Sequence, residues 1–285
     1  LFLQICCKGN NHFYNASCFF REITRSSPAK VITLPEFPAY YLCFGLAMLK
    51  KNDTLVIIPA FNEAWNIKKL LKNLSVIVPE CDILVVNDAS TDGTGSIAEA
   101  TGIVAVLNFP YNLGIGAAVQ AGFKYARKKG YRYALQFDGD GQHVAAQIPR
   151  LLKLIKLGKA DVVVGSRFCK KREEGYKSTF LRRIGIRIFK LMTMLLIQRK
   201  IEDCTSGFRG YGKDAIEFLS WHYPADYPEP EALILLGKNG FSISEIYTPM
   251  NDREGGKSSI TKKGAFYMVK VLLAMVMTAI RPKIK

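Results

Sequence analysis

The run Thr54-Leu55-Val56-Ile57-Ile58-Pro59 is apolar and β-branched, which predicts a strand buried on both faces. After the turn Ala60-Phe61-Asn62-Glu63 the spacing changes. Ile67, Leu70, Leu71 and Leu74 share one face of a helix over 64–74. The same change of period recurs along the chain. Cys81 to Val86 reads as a second buried strand, and the polar loop 87–94 leads into a helix over 95–101. Residues 103–107 read as a short third strand, and Gly114 and Gly116 open a helix over 115–129. Strands over 133–137 and 161–164 flank a helix over 149–157. Strands alternating with helices through short connections predict an α/β domain with a mostly parallel central sheet flanked by helices. In such sheets ligands bind beyond the carboxyl ends of the strands. Asn62-Glu63, Asp88 and the pair Asp138 and Asp140 all fall at those ends, so they are expected to converge on one cleft.

Composition narrows the partners. The chain has 285 residues, 49% hydrophobic and 22% charged, enough for one large or two small domains with a real core. Its formal net charge of +16 calls for an anionic partner. The basic residues gather after residue 166 and lack the aromatic interleaving of a nucleic-acid binder, so phosphates and anionic lipid are expected and nucleic acid is not. Seven cysteines without a CxxC pair read as reduced thiols. Residues 1–47 show no period, and the first methionine is Met48, just before the first strong strand. The expected organisation is an N-terminal extension over 1–47, non-native or disordered, a folded α/β domain over 48–262 and an amphipathic helix over 263–285. The mass of the protein from its source cell decides whether the native chain starts at Met48.

The sharpest chemistry is Asp138-Gly139-Asp140, which ends an apolar strand and opens into Gly141-Gln142-His143. Two carboxylates this close repel each other unless a cation or a proton intervenes. Delivered by a buried strand, they suit a hard cation such as Mg²⁺ or Mn²⁺, completed by a ligand's phosphates. Taken alone, the triplet also has the composition of an ordinary acidic turn.

Four segments in order are more specific than any one of them. Pro59-Ala60-Phe61-Asn62-Glu63, then Asn87-Asp88-Ala89-Ser90-Thr91-Asp92-Gly93-Thr94, then Asn112-Leu113-Gly114-Ile115-Gly116-Ala117-Ala118, then Asp138 to His143 resembles the family 2 glycosyltransferases of GT-A fold. Within them the chain looks most like the branch of dolichyl-phosphate mannose synthases and bacterial polyprenyl-phosphate glycosyltransferases. The resemblance spans residues 53–262. It implies a nucleotide-sugar donor, Mg²⁺ or Mn²⁺, and inversion at the anomeric carbon. Carried over by position, Pro59, Ala60, Asn62 and Glu63 line the base and ribose, Asp88 accepts a hydrogen bond from the base, and Gly116 belongs to the donor-side glycine segment. Asp138 and Asp140 hold the metal, with Gln142 as a further ligand. Two positions depart from the family: Asn87 replaces an aspartate, and Ile115 replaces a basic residue between the glycines.

The resemblance also places the acceptor side. Arg167, in Gly165-Ser166-Arg167, contacts a phosphate of donor or acceptor. Asp203-Cys204-Thr205-Ser206-Gly207-Phe208-Arg209 matches the family's D-x-x-S-G-F-R, with Asp203 near the chemistry or ion-paired with Arg209. Glu231 is either a favourable charge in the first turn of a helix or an acceptor-binding residue or base. Arg253, Lys257 and Ser258 match R-x-x-G-x-S and are expected on the diphosphate, in a loop whose closure excludes water.

Two stretches suggest a membrane surface. On a helical wheel over 180–196, Arg182, Arg183, Arg187 and Lys190 share one sector, opposite Leu181, Ile184, Ile188, Leu191, Met192 and Leu195. The apolar run 264–280 is interrupted by Lys270 and is shorter than the ~20 residues that span a bilayer. The expected function is an inverting, metal-dependent sugar transfer to a lipid-linked or polyprenyl-phosphate acceptor of the cell envelope. The expected place is peripheral, on the cytoplasmic face of the membrane, with room for a small membrane-protein partner. A polysaccharide transferase acting on a sugar hydroxyl and a silent nucleotide-sugar-binding scaffold are the alternatives.

Overall fold

The computed structural model describes residues 52–169, 180–251 and 264–284, and at 180–184, 186 and 264–267 the backbone alone. The segment 1–47 and the loop carrying Arg253, Lys257 and Ser258 lie outside the described residues.

β1 (Thr54–Ala60) is buried along its whole length, as an uninterrupted apolar run requires. Alternate side chains serve opposite layers. Val56 and Ile58 pack with Ile67, Leu70, Leu71 and Leu74 of α1 (Ala64–Ile77). Leu55 and Ile57 pack instead with Val119 and Phe123 of α3 (Ile115–Lys129). The helices of α/β units thus cover both faces of the sheet.

Around β1 stand β2 (Asp82–Asn87), β3 (Ala105–Asn108), β4 (Tyr133–Gln136), β5 (Val162–Ser166), β6 (Arg209–Gly212) and β7 (Ile243–Tyr247). The order across the sheet is β3-β2-β1-β4-β6-β5-β7. Every pairing is parallel except those of β6, which runs antiparallel to both β4 and β5. Chain order reverses between β1 and β4, so a crevice opens beyond their carboxyl ends.

The remaining helices are α2 (Thr94–Ala100), α4 (Ile148–Lys156), α5 (Phe180–Ile197), α6 (Lys213–His222), α7 (Pro228–Lys238) and α8 (Gly264–Ile280). α5, α7 and α8 pack together around a third cluster that includes Phe189, Leu233, Ile234, Val271 and Met275. The short strand expected at 103–107 lies at 105–108, and α7 starts at Pro228, earlier than its apolar run. β6 and β7 carry no clear period, and α6, with Ala215, Ile216 and Leu219 buried on one face, lies outside the elements predicted above. Gly210 of β6 leaves room for Ile155 of α4, whose Cδ1 would stand 2.5 Å from an added Cβ.

Candidate active site

The turns after β1 and β2 are tied together by their own side chains. The Asn62 N–H donates to Ser90 Oγ (3.0 Å), and the Thr91 N–H donates to Asn62 Oδ1 (2.9 Å). The Glu63 N–H donates to Thr94 Oγ1 (2.9 Å), and Asp92 accepts from the N–H of Ala64 and of Thr94. Asn62 and Ala89 both adopt positive φ, 56° and 57°. A non-glycine residue there costs of order 1–3 kcal/mol, so the surrounding bonds must hold it. Pro59 and Ala60 are buried in the strand end beside this lock, with Asn62 exposed at its rim.

Asp88 is 3% exposed, and its carboxylate is fully engaged. Oδ1 accepts from the Leu113 N–H (2.7 Å) and Oδ2 from the Gly114 N–H (2.9 Å). It therefore shapes the glycine segment at the start of α3. Gly116 is buried behind that segment, where an added Cβ would meet the Ala225 carbonyl oxygen at 2.4 Å. The unusual Asn87 also has a structural use. Its Nδ2 donates to Asn108 Oδ1 (2.8 Å), which a carboxylate at this position could not do.

Beyond β4 the carboxylates are differently placed. Asp138 Oδ2 lies 2.9 Å from His143 Nε2, while Oδ1, buried, has no hydrogen-bond partner. Burial alone would push the Asp138 carboxyl's pKa up. The His143 hydrogen bond and the charges of His143, Arg167 and Arg209 outweigh it and hold the group below its ordinary value. Asp140 Oδ1 accepts from the Gln142 N–H (3.0 Å), and Gln142 pairs with Asn251 through its backbone carbonyl (2.8 Å). An ionised, buried oxygen without a partner is costly to leave unmet, and a hard cation fits it. Among the described residues no group of three His, Cys, Asp or Glu side chains could hold a metal ion. The donor set fits a cation that takes its other ligands from phosphates and water.

Antiparallel β6 brings the second group of residues to the same end of the sheet, since Arg209 pairs in register with Gln136 of β4 and Val164 of β5. Asp203, 2% exposed, does not pair with Arg209. It holds Arg167 in a fork: Nε to Oδ2 at 2.7 Å and Nη2 to Oδ1 at 2.8 Å, with the Arg167 N–H and Thr205 Oγ1 also donating to it. Burial would raise the Asp203 pKa, but the hydrogen bonds and charge of Arg167 hold it below the usual carboxylate range. Fully engaged and ionised, it is an anchor for Arg167. Arg209 is wholly buried and clamps three backbone carbonyls, those of Cys204, Ser206 and Glu229, at 2.7–2.8 Å.

The acidic residues of α7 divide in an unexpected way. Glu231 is buried and structural in its contacts. Oε1 accepts from the Tyr227 N–H (3.1 Å) and Oε2 from the Thr278 hydroxyl of α8 (2.9 Å). The carboxylate that interacts with the Asp138 turn is Glu229, two residues earlier. Burial pushes its pKa up, Arg209 opposes the rise and Asp138 adds to it. Beside it lies the buried amide of Gln136, whose Oε1 accepts from the Tyr211 and Tyr223 hydroxyls. Sequence reasoning missed Glu229. Its two-residue spacing from Glu231 was the available signal, because on a helix that spacing turns two side chains apart.

On α5, Phe189 and Thr193 are buried, while Ile188, Leu191, Met194 and Leu195 are exposed. Met192 packs against the core, away from the apolar sector expected to be free. Lys190 pairs with Glu202, and Arg187 is exposed. Leu181, Arg182, Arg183 and Ile184 of the same wheel fall where the backbone alone is described. On α8, Val269, Leu273, Met277 and Ile280 are exposed. Among the described residues no helix is long and apolar enough to cross a membrane.

Glycosyl transferase family 2 matches the chain over residues 55–219. The polyprenol monophosphomannose synthase of Mycolicibacterium smegmatis is 30% identical over 219 residues, covering 73% of this chain and 81% of that protein. The undecaprenyl-phosphate mannosyltransferase of Micrococcus luteus is 33% identical over 222 residues, covering 73% and 87%. Among solved structures, glucosyl-3-phosphoglycerate synthase from Mycobacterium tuberculosis, crystallised with Mn²⁺, UDP and phosphoglyceric acid, superposes with a TM-score of 0.58. That match covers 88% of this chain and 86% of the other at 16% identity, and so speaks to the fold. With its mostly parallel sheet, its switch-point crevice and its Asp138–Asp140 turn, the chain belongs to glycosyl transferase family 2 and is a GT-A glycosyltransferase.

Proposed function

We propose that this enzyme moves a sugar, with inversion, from a nucleotide-sugar donor to a polyprenyl-phosphate or other lipid-linked acceptor, with Mg²⁺ or Mn²⁺ at Asp138 and Asp140. The observation that carries the reading is the ionised Asp138 with one buried oxygen unpartnered at the switch point, beside Asp140. The named relatives that act on polyprenol and undecaprenyl phosphates support the acceptor class. Asp138 and Asp140 would hold the cation, with Gln142 beside them. When bound it would neutralise the charge that builds on the departing diphosphate. Pro59, Ala60, Asn62, Glu63 and Asp88 would line the nucleoside side of the cleft.

Arg167 gives an anionic acceptor a fixed positive group at the cleft, because Asp203 holds its guanidinium in a fork. A phosphate monoester is already a nucleophile and needs no base. The engagement of Asp203 and Glu231 in structural bonds suits this chemistry. A second reading rests on Glu229. A half-buried carboxyl with a raised pKa, beside the Asp138 turn, suits proton removal from a sugar hydroxyl.

Exposed apolar side chains on α5 and α8, with Arg187, Lys270, Arg281 and Lys283 on the same two helices and their end, suit a peripheral seat on an anionic cytoplasmic leaflet. Flotation with anionic vesicles, lost with zwitterionic ones or in high salt, is the expected result.

The decisive experiment incubates the purified chain with UDP-, GDP- and dTDP-sugars and Mn²⁺ or Mg²⁺, with and without polyprenyl phosphate, beside Asp140→Asn. Release of nucleoside diphosphate that requires metal and Asp140 and rises with polyprenyl phosphate is expected. Turnover that needs a sugar hydroxyl and disappears in Glu229→Gln would favour the second reading. Donor binding without turnover under every acceptor would leave a scaffold.

A further inference from the structure

Among the described residues, Asp138 Oδ1 is the one buried carboxylate oxygen that closes no hydrogen bond, and two neighbours decide where it points. One is His143. His143 Nε2 lies 2.9 Å from Asp138 Oδ2, and an N–H at that nitrogen donates to the carboxylate, which has only acceptors to offer. The imidazole cannot readily swing away. It is 7% exposed, with the Phe137 ring at 5.6 Å and the Phe208 ring at 5.3 Å. Its backbone is also pinned, because His143 forms a β-bridge with Met250 and the neighbouring Gln142 carbonyl accepts from the Asn251 N–H.

The second neighbour is Gly207. A Cβ built there would stand 2.5 Å from both carboxylate oxygens of Asp138 and 2.9 Å from its Cγ. Gly207 has no positive φ, so its backbone conformation does not demand glycine. Space does: the Asp138 side chain occupies the volume a side chain at 207 would need.

We propose that His143 and Gly207 are positioning residues for the cation, aiming Asp138 Oδ1 into the cleft. His143 ties down Oδ2 by its hydrogen bond, and Gly207 lets the carboxylate seat against the β6 approach. Neither touches donor or metal. The inference rests on the reading of Asp138 as a metal ligand and deepens it, by explaining why a histidine follows the Asp138–Asp140 turn and a glycine precedes Phe208. Hydrogen-bond partners of ligating groups are typically worth about 10- to 100-fold in metal affinity.

The test measures Mn²⁺ binding to the full chain by electron paramagnetic resonance, with UDP present and no acceptor, together with thermal melting. The variants are His143→Phe, which keeps the aromatic packing without a donor, His143→Gln, which can still donate, Gly207→Ala, and Asp138→Asn. The expected result is a Kd for Mn²⁺ raised about 10- to 100-fold in His143→Phe and Gly207→Ala. His143→Gln should recover part of the loss, and saturating Mn²⁺ should restore full occupancy in all three. A purely structural role would instead lower the fraction of protein that binds, at unchanged Kd. That outcome, or parental Kd values in His143→Phe and Gly207→Ala while Asp138→Asn binds no metal, overturns the positioning role and leaves the metal reading standing. No Mn²⁺ binding by the parent chain overturns both.

Discussion

The ends of β2 and β4 each present an aspartate to the same crevice, and the two are used in opposite ways. Asp88 has both oxygens engaged by the amides of Leu113 and Gly114. Asp138 has one oxygen on His143 and the other on nothing. A carboxylate satisfied by its own chain builds a wall, whereas one left open is a cost that a ligand removes. Asp203 belongs with Asp88, since Arg167 and Thr205 engage it completely. The comparison predicts that stability and binding separate cleanly among these acids.

The largest loss of stability is expected at Asp203→Ala. It strands the Arg167 charge in a site where it is 12% exposed, and breaking such a pair costs about 3–5 kcal/mol in urea unfolding. A loss near zero would mean that Arg167 finds other partners and that Asp203 is not its anchor. Next comes Asp88→Ala, which leaves two loop amides unmet at about 1–3 kcal/mol. Mn²⁺ affinity should stay at the parental value, and a large change in it would break the comparison.

Acid unfolding sharpens the same contrast. Asp203 is held below its ordinary pKa, so its stabilisation is complete above the unfolded value of about 4 and disappears as pH falls through the lower folded value. Asp203→Asn should therefore flatten the acid limb of a plot of Tm against pH. Glu229 has the opposite sign, because its raised pKa favours the protonated form when folded. Its contribution is present at low pH and is lost as pH rises through the folded value. Glu229→Gln should remove that decline, and an unchanged profile would place the carboxyl in solvent.

A smaller effect is expected at Glu231→Gln, about 1 kcal/mol from the bonds to Tyr227 and Thr278, with turnover close to parental. A collapse in turnover at unchanged Tm would instead return Glu231 to the chemistry. The smallest stability change belongs to Asp138→Asn, a slight loss, because the His143 contact and the nearby arginine charges favour the ionised carboxylate, while metal binding is lost.

Much of the donor side could be read before folding, because its signals are local. The uninterrupted apolar runs of β1, β2 and β5 and the 3.6-residue periods of α1 and α3 announce themselves within a few residues. β6 was not readable, since Arg209–Gly212 has four residues, two of them glycine, and its pairing with β4 reaches across the chain. The ion pair weighed between Asp203 and Arg209 went astray for a related reason. The two are close in sequence, but the stretch between them has no regular element to say which side chains meet. The real partner of Asp203, Arg167, is 36 residues away.

The sequence alone determined that an α/β sheet flanked by helices would form and that Asp88, Asp138 and Asp140 would stand at strand ends, because side-chain alternation and apolar continuity are properties of neighbouring residues. Only the tertiary structure decided which carboxylates are saturated. That depends on which backbone amides, guanidinium groups and rings reach each oxygen after the strands have paired. Leu113 reaches Asp88 from 25 residues away, and Thr278 reaches Glu231 from 47. Distances of that kind have no period in the chain, so the difference between a wall and an open ligand at two similar aspartates appears only in the fold.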